Sequence, residues 1–560
     1  MSESQPLLPK SEPRVVVIGA GVGGLAFAIN IKKQLNFHNI TIYEKASDVG
    51  GTWRDNIYPG CSSDIPIHFY SLSTDLNPEW SKSHCYSDEI QLYLSGLAEK
   101  YKIYPQVVFN RKVVLVEWKE GERTWSVTTE DVKTGVQETT TANVVVSALG
   151  ILEVPKMPDI PGLSSFEGKV FHSARWDTSV ELQGKRVAVI GNGASATQFV
   201  PRIAQDPNTR ITHFSRTPNW FLPPIRTEYS GFSRWAFRRV PLYMQFFRLI
   251  GYLRTELFYV IVFSNSVLRR LFMKTARAYI RQTAPARYHD WLVPNYTLGC
   301  KRVIFDTDYL ATLHQSNVEL NHDGIASITQ NGIITRGGET LPFDVIILAT
   351  GFIADDYPLE VRGRQMQTIA GYYDSKRGPQ AYLGTTIPNF PNFFFISGPN
   401  TATGHTSVIF TEEVQIDYIL KLISPLLDGK VSSLEVKPAA TDAYNEKIQA
   451  RLSRSVFLQC ISWYRRGGEG KVTSIFPGPG YLFWWWLRTP NWSHYSFVPE
   501  EPWKQHLQRR RILGYCRNTL LTTVALASLW WLVGGDVQKW IGSHIYLGRA
   551  VTSTWSSLFV

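Results

Sequence analysis

Three glycines near the start of the sequence, together with one acidic residue that follows them, could bind a dinucleotide. Gly19, Gly21 and Gly24 form a GxGxxG motif, and Glu44 comes 20 residues after the last glycine. Glycines at this spacing permit a tight turn and let a pyrophosphate approach backbone N–H groups at a helix N-terminus. An acid at this distance can accept hydrogen bonds from ribose hydroxyls. The motif therefore predicts a site for a dinucleotide with a free 2′-hydroxyl, and an ordinary strand–helix turn is the alternative.

A second glycine motif, GNGASA at residues 191–196, is followed by a basic residue instead. Arg216 stands 25 residues after its first glycine, the same offset that Glu44 has in the first copy. An acid there would repel a 2′-phosphate, whereas an arginine can bind one through two hydrogen bonds. The second motif therefore predicts an NADP site, with a merely solvated Arg216 as the alternative. Its predicted cofactor-binding residues are Gly191, Gly193, Ala194, Ser195, Arg216 and Thr217.

Each motif stands between a predicted strand and a predicted helix. Residues 14–18 (RVVVI) and 186–190 (RVAVI) are β-branched apolar runs, which are typical of buried parallel strands. Each copy closes with a further apolar strand ending in Ala-x-Gly, at 144–150 and 345–351. This order predicts an α/β protein with two Rossmann-like dinucleotide-binding domains, one for FAD and one for NADP. Two such domains in one chain favour hydride transfer from NADPH to a flavin.

The composition is that of a globular protein with two or three domains. The chain has 560 residues, of which 44% are hydrophobic and 19% charged, which excludes a disordered or fibrous protein. Its net charge of +11 suits anionic partners, but no nucleic-acid-binding motif is present, so no nucleic-acid partner is expected. The five cysteines form no CxxC pair and no metal-binding pattern, which predicts a reducing compartment and no metal site. Cys61 and Cys300 are interpreted as packing residues.

A longer pattern precedes the second glycine motif. Residues 166–177, FEGKVFHSARWD, match F-x-G-x-x-x-H-x-x-x-W-[P/D]. In this the chain resembles the class I, FAD- and NADPH-dependent Baeyer–Villiger monooxygenases, whose fingerprint this is. The related N- and S-oxygenating flavin monooxygenases lack the Trp-Asp ending. The fingerprint residues are Phe166, Gly168, His172, Trp176 and Asp177.

Further segments resemble the same family over most of residues 13–503. The resemblance implies FAD and NADPH as cofactors and O2 as co-substrate. It also implies a C4a-peroxyflavin that attacks a ketone carbonyl, so that the product is an ester or a lactone. The segments are 50–53, 58–64, 216–218, 299–302, 349–352, 397–400 and 462–464.

The resemblance assigns the catalytic roles to Arg302 and Asp64. It implies that Arg302 lies at the flavin–nicotinamide junction, that Asp64 pairs with it, and that Lys301 binds the NADP 2′-phosphate beside Arg216. A peroxide anion and an oxyanion both need a fixed positive charge, and arginine stays protonated when buried. A surface basic pair and a turn aspartate are the ordinary alternatives. The other cofactor-binding residues that we expect are Thr52, Trp53, Asp55, Ser62, Tyr70 and Val113.

Several neighbouring residues are given supporting roles. His172 is not expected to be a general base, because it stands in the linker between the domains, where hydrogen bonding could couple NADP binding to domain position. Trp176 is expected to pack. Trp463 and Tyr464 are interpreted as lining the cofactor or substrate pocket, with plain core packing as the alternative.

The predicted domains are interleaved. Aromatic and arginine-rich sequence between the two halves of the NADP-binding domain is interpreted as a helical insertion that could cap an active site. Its arginine pairs are either solvated or in contact with lipid headgroups. The predicted boundaries are a disordered arm at 1–12, an FAD-binding domain at 13–150 and 384–508, an NADP-binding domain with the linker fingerprint at 151–220 and 296–383, the insertion at 221–295, and a tail at 509–560.

The tail is basic and then hydrophobic. Arg509–Arg511 and Arg517 precede residues 518–535, which carry no charge and would be about 27 Å long as a helix. One alternative is a membrane anchor with a cytosolic catalytic domain, and the other is a buried or interfacial helix in a cytoplasmic protein.

These observations together predict an FAD-dependent, NADPH-consuming Baeyer–Villiger monooxygenase acting on a bulky, apolar, natural-product-like ketone. One alternative is an N- or S-oxygenating flavin monooxygenase. The other is a redox-sensing flavoprotein that binds both cofactors without turnover.

Overall fold

A computed structural model describes residues 12–501, 503–505, 508 and 519–528. The strands are β1 (Val15–Ile18), β2 (Ile40–Tyr43), β3 (Val107–Val108), β4 (Arg111–Lys119), β5 (Thr124–Asp131), β6 (Gln137–Ala142), β7 (Val144–Ser147), β8 (Lys169–His172), β9 (Arg186–Ile190), β10 (Arg210–Phe214), β11 (Phe221–Leu222), β12 (Ile304–Phe305), β13 (Val318–Asn321), β14 (Ile325–Thr329), β15 (Gly332–Thr335), β16 (Thr340–Pro342), β17 (Val345–Leu348), β18 (Glu360–Arg362), β19 (Phe393–Phe395), β20 (Ser433–Val436) and β21 (Tyr495–Val498). The helices are α1 (Val22–Leu35), α2 (Thr52–Asp55), α3 (Ser87–Lys100), α4 (Ala194–Ile203), α5 (Gly231–Arg239), α6 (Tyr243–Tyr259), α7 (Ser266–Thr283), α8 (His289–Leu292), α9 (Tyr309–Thr312), α10 (Ile369–Ser375), α11 (Val408–Leu427), α12 (Pro438–Leu452) and α13 (Gly480–Leu487).

The first glycine motif follows the central strand of a five-stranded parallel sheet. The strand order is β19-β7-β1-β2-β3, with Val15 opposite Ile40 on one side and opposite Val144 on the other. All four side chains of β1 are buried, as expected for a parallel strand covered on both faces. The edge strand β19 comes from far along the chain, after the whole second sheet.

The second glycine motif follows β9 in a sheet of the same kind. Its order is β13-β10-β9-β17-β8, and all its neighbours are parallel. Strand β8 carries part of the 166–177 fingerprint and forms an edge of this sheet. The chain therefore has the predicted α/β class, with two doubly wound sheets.

A smaller sheet of order β18-β4-β5-β6 supports the first parallel sheet. Trp125 and Val127 of β5 lie in one buried cluster with Val16 of β1 and Phe393 of β19. Val113, which we predicted to bind cofactor, belongs to the same cluster. This apolar contact fixes β1, and with it the glycine turn at its end.

Residues 221–295, predicted as a helical insertion, contain α5, α6, α7 and α8. A π-helical segment, Val260–Ser264, joins α6 to α7, and the Asn265 side chain accepts hydrogen bonds from the N–H groups of Val267 and Leu268 at the start of α7. Such a cap satisfies donors that the first turn leaves free.

The two ends of the chain are described only in part. The predicted arm at 1–12 lies outside the described residues except for residue 12, and the predicted tail is described only at 519–528, which are helical. A structural boundary falls after Ser496. Among the described residues, no helix has both the length and the apolarity needed to cross a bilayer.

Candidate active site

The first glycine turn has space for a ligand because its key positions carry no side chain. Gly19 has a φ of +100°, and a Cβ on Gly24 would lie 2.0 Å from the Gly19 carbonyl oxygen. Gly21 faces Gly51 closely: a Cβ on Gly51 would lie 2.9 Å from the Gly21 Cα. The backbone N–H groups at the start of α1 are thus reachable by a pyrophosphate, which fits FAD.

Glu44 braces this turn directly. Its Oε2 accepts a hydrogen bond from Ala20 N at 2.8 Å, and its Oε1 accepts one from Ala46 N at 3.0 Å. Arg54 Nη1 lies 3.3 Å from Oε1. A carboxylate has more acceptor positions than these donors use, so capacity for ribose hydroxyls is left. The Arg54 contact was not predicted, because an arginine inside a short helix gives no signal of its partner.

The other residues that we expect at the FAD site follow Gly51 in the sequence. Thr52, Trp53 and Asp55 lie on α2, and the indole Nε1 of Trp53 donates to the Tyr70 hydroxyl at 3.2 Å. Ser62 is buried, and its carbonyl accepts a hydrogen bond from Gln198 Nε2 at 3.1 Å. Since Gln198 is on α4, this contact joins the loop before Asp64 to the second dinucleotide fold.

The second glycine turn has an open cradle and two adjacent cations. Gly191 has a φ of +104°, and a Cβ on Gly193 would meet no atom within 4 Å. Lys301 Nζ donates to Thr217 Oγ1 at 2.9 Å, next to the exposed Arg216. Burial and the Arg216 guanidinium lower the pKa of Lys301. Neither cation has an ion pair to a described residue, so an anion such as a 2′-phosphate would relieve their repulsion.

Arg302 and Asp64, 238 residues apart in sequence, form an ion pair. One carboxylate oxygen, Asp64 Oδ2, accepts from Arg302 Nε at 3.1 Å and also from Nη2. Arg302 Nη1 donates to the Gly404 carbonyl at 3.3 Å. Burial by itself lowers the pKa of the guanidinium, but Asp64 and the Tyr464 hydroxyl more than offset this, so the net shift is upward. The group therefore stays charged and held in one orientation.

A second pair of ionisable residues, which the sequence did not predict, lies next to Gly404. His405 Nε2 lies 3.7 Å from Glu256 Oε1 on α6, and the same carboxylate oxygen accepts from Gly480 N at 2.7 Å. The helical insertion thus contacts the segment whose carbonyl holds Arg302. Nothing in the local sequence around either residue indicates this contact.

The fingerprint residues other than His172 are surrounded by packing contacts and local hydrogen bonds. Phe166 is buried, and a Cβ on Gly168 would lie 2.5 Å from the Asp344 carbonyl oxygen. Trp176 packs against Phe171 and Phe199, each with ring centroids 5.2 Å away. The carboxylate of Asp177 accepts from Ser179 N at 3.0 Å.

His172 is at the end of β8 and is neutral at physiological pH. Its Nδ1 accepts a hydrogen bond from Ala174 N at 3.1 Å. Burial and the nearby Arg175 lower its pKa to about 4, against the opposing effect of the Gly351 carbonyl. This environment suits the positioning role that we expected rather than that of a general base working near pH 7.

The interpretation of Cys300 as a simple packing residue is wrong. Cys300 is disulfide-bonded to Cys460, with Cα atoms 6.0 Å apart, whereas Cys61 is buried and free. The bond links the segment carrying Lys301 and Arg302 to the loop that leads into Tyr464. Sequence spacing could not reveal a pairing across 160 residues. The cysteines therefore give no support to a reducing compartment.

Comparisons with known proteins agree with this geometry. The family described as FMO-like, flavin-binding monooxygenase-like, matches residues 12–360. A "Baeyer-Villiger monooxygenase" of Pseudomonas aeruginosa is 37% identical over 472 residues, which cover 83% of this chain and 88% of the relative. A protein of the same name from Streptomyces coelicolor is 36% identical over 83% of this chain and 89% of its own length.

Solved structures show the same likeness. A crystal structure of OTEMO in complex with FAD and NADP superposes with a TM-score of 0.77 at 27% identity, over 87% of this chain and 100% of that one. The predicted resemblance is thereby confirmed. With its two dinucleotide folds and these relatives, the chain belongs to the FMO-like family of flavin-binding monooxygenases.

Proposed function

We propose that this flavin-dependent monooxygenase is a Baeyer–Villiger enzyme, which uses FAD, NADPH and O2 to convert a ketone to an ester or lactone. The observation that carries the proposal is the Arg302 guanidinium, charged and held by Asp64 and the Gly404 carbonyl. The names of the relatives from Pseudomonas aeruginosa and Streptomyces coelicolor support it.

Bound FAD, once reduced by NADPH, supplies the activation of O2. Arg302 offers a fixed positive charge to the negative oxygen that develops at the ketone carbonyl, and a preorganised charge of this kind needs no reorientation during the reaction. Asp64 restricts the guanidinium to one plane by accepting from two of its nitrogens. Asp64 is therefore a positioning residue.

Each glycine turn is proposed to bind a different cofactor. Glu44 suits a free ribose hydroxyl at the first turn, and Arg216 with Lys301 suits the 2′-phosphate of NADPH at the second. Thr217 orients Lys301 by accepting its hydrogen bond. The expected result is a preference for NADPH over NADH.

Product analysis tests the reaction type. Purified enzyme with NADPH and 18O2 should convert a ketone into an ester that contains one labelled oxygen atom. Sulfoxide or N-oxide from a thioether or amine, with no ester from any ketone in a broad panel, would identify a heteroatom oxygenase instead. Tight binding of both cofactors without substrate-dependent NADPH consumption would identify a redox sensor.

The substrate and cellular location are further proposals. The aromatic insertion favours a bulky apolar ketone of the kind found in secondary metabolism, and efficient turnover of small cyclic ketones alone would refute this. The tail has a basic segment followed by an uncharged one, and this order favours attachment to the cytosolic face of a membrane. Deletion of residues 518–560 should then release the enzyme from membranes, and unchanged fractionation would contradict an anchoring role for this segment.

A further inference from the structure

Most of the net charge of this protein is concentrated in residues 221–295. These 75 residues contain twelve Arg and Lys against three Asp and Glu, a net +9 out of +11 for the whole chain. Some of the cations are paired, as Arg248 is with Glu413 at 3.0 Å. Arg239, Arg254, Arg270 and Lys274 are exposed and have no ion pair to a described residue. The insertion therefore presents free positive charge to an external partner.

Helix α6 turns its apolar side outward. Leu249, Leu253 and Leu257 are 50%, 54% and 59% exposed, and spacings of four residues place them in one row along the helix. Gly251 and Thr255, about half a turn away, are buried instead. A Cβ on Gly251 would lie 3.1 Å from the Phe69 Cβ, so the glycine lets the helix approach the body of the protein closely. An ordinary surface helix would show the reverse arrangement.

The same apolar surface continues on neighbouring helices. Phe232 and Trp235 of α5 are exposed and stack on each other, with centroids 5.7 Å apart. The Glu256 carboxylate on α6 accepts from Gly480 N, which places the start of α13 beside α6, and Tyr481 on α13 is 59% exposed. We define the insertion face as the exposed residues Phe232, Trp235, Phe246, Leu249, Leu253, Leu257, Val260, Val267, Leu268, Leu271 and Tyr481 with the cations Arg239, Arg254, Arg270 and Lys274.

We propose that the insertion face docks on the surface of an anionic phospholipid bilayer. Leucine and phenylalanine side chains can enter the headgroup–acyl boundary, Trp and Tyr rings suit the interface, and the cations attract anionic headgroups. A second copy of this chain is the poorer occupant, because a symmetric contact would bring the four unpaired cations of each insertion face together. This surface is distinct from the tail, and the docking does not depend on the reaction catalysed.

Vesicle binding by the full chain tests the proposal. Side-chain hydroxyl-radical footprinting should show Leu249, Leu253 and Trp235 protected when phosphatidylcholine vesicles containing about 30% phosphatidylserine are added, and much less with phosphatidylcholine alone. The triple variant L249Q/L253Q/L257Q should bind the anionic vesicles at least about tenfold more weakly. The matched control is L92Q on α3, where the leucine is 72% exposed, and its binding should equal that of the wild type.

Three other outcomes would each overturn the proposal. Protection that grows with protein concentration and needs no vesicles would identify self-association. Protection at every concentration without vesicles would show that another part of the chain, such as the tail, covers the face. Vesicle binding without protection of the insertion face would assign attachment to the tail alone. Turnover of a water-soluble ketone by the triple variant should stay at the wild-type level, so a failure of docking is distinguishable from a failure of the proposed reaction.

Discussion

Replacing Asp64 by asparagine should slow the reaction without removing the flavin. In the wild type, one carboxylate oxygen accepts from two nitrogens of Arg302, while the contact with Gly404 is longer, at 3.3 Å. Asparagine keeps one oxygen that can accept from the guanidinium, which stays charged, but removes the opposing charge, and for a pair about one-third exposed this loss is about 1 kcal/mol. A loss of about 1 kcal/mol in the orientation of Arg302 corresponds to roughly a fivefold lower rate.

Global stability should change little in the same variant. The two side chains are 30% and 33% exposed, and solvent screens such pairs so that their contribution to folding is about 1 kcal/mol or less. Anaerobic stopped-flow measurement of flavin reduction by NADPH gives the rate of hydride transfer. The ratio of ester formed to NADPH consumed gives the coupling efficiency of the later oxygen-transfer step. Flavin content and melting temperature serve as checks on folding.

Asp344→Asn is the matched control. Asp344 pairs with Arg186 at 2.7 Å with 34% and 45% exposure, where β17 and β9 begin, at the opposite end of β9 from its glycine turn, and its carboxylate accepts hydrogen bonds from Arg186. Its flavin reduction should match that of the wild type. If Asp64→Asn also reduced its flavin at the wild-type rate and coupled NADPH fully to ester, the role assigned to the Asp64–Arg302 pair would be wrong.

Further variants test the two cofactor sites and the buried Glu412 of α11. Lys301→Ala should raise the KM for NADPH about 10- to 100-fold, because a charge-assisted hydrogen bond to phosphate is lost, while the KM for NADH stays constant; equal changes for both cofactors would refute the 2′-phosphate role. Gly21→Ala should fold with a near-normal melting temperature, because the nearest protein atom to its Cβ is at 3.6 Å, but it should lose FAD, because the methyl group narrows the glycine turn. Gly24→Ala should also fail to fold stably, because its Cβ would lie 2.0 Å from a carbonyl oxygen. Retained flavin in Gly21→Ala would contradict the role of this turn in binding FAD. Burial raises the pKa of Glu412 to about 7, so the folded protein keeps a proton there that the unfolded chain releases near pH 4.3, and stability should fall by up to about 3–4 kcal/mol as the pH rises from about 4.3 to 7. Glu412→Gln should remove that fall, and identical melting curves against pH for both proteins would show that Glu412 does not titrate in this range.

The parts of the fold that were predictable are those with local signals. The strands β1 and β9 are apolar runs that end at glycine motifs, so both sheets could be anticipated from short stretches of sequence. Edge strand β19 has only three residues and joins β7 across about 250 positions, and no local pattern reports such a pairing.

The same reason explains what was missed in the site. The Cys300–Cys460 bond and the contact between Glu256 and His405 are long-range, and each residue looks ordinary in its own segment. Helix α6 was recognisable as a helix from its apolar spacing, but the outward direction of its leucine row depends on the close approach allowed by Gly251. Periodicity identifies a face and does not say what that face meets.

The nested order of the two sheets also sets the order in which they can be completed during synthesis. All strands of the second sheet lie between β7 and β19 of the first, so a ribosome delivers the entire second sheet by Leu348, before the last strand of the first emerges at Phe395. Until then the apolar edge of β7 has no partner, and an unpaired edge of this kind is where a nascent chain aggregates. The sheet whose synthesis begins first is therefore the one that receives its last strand after the other sheet is complete.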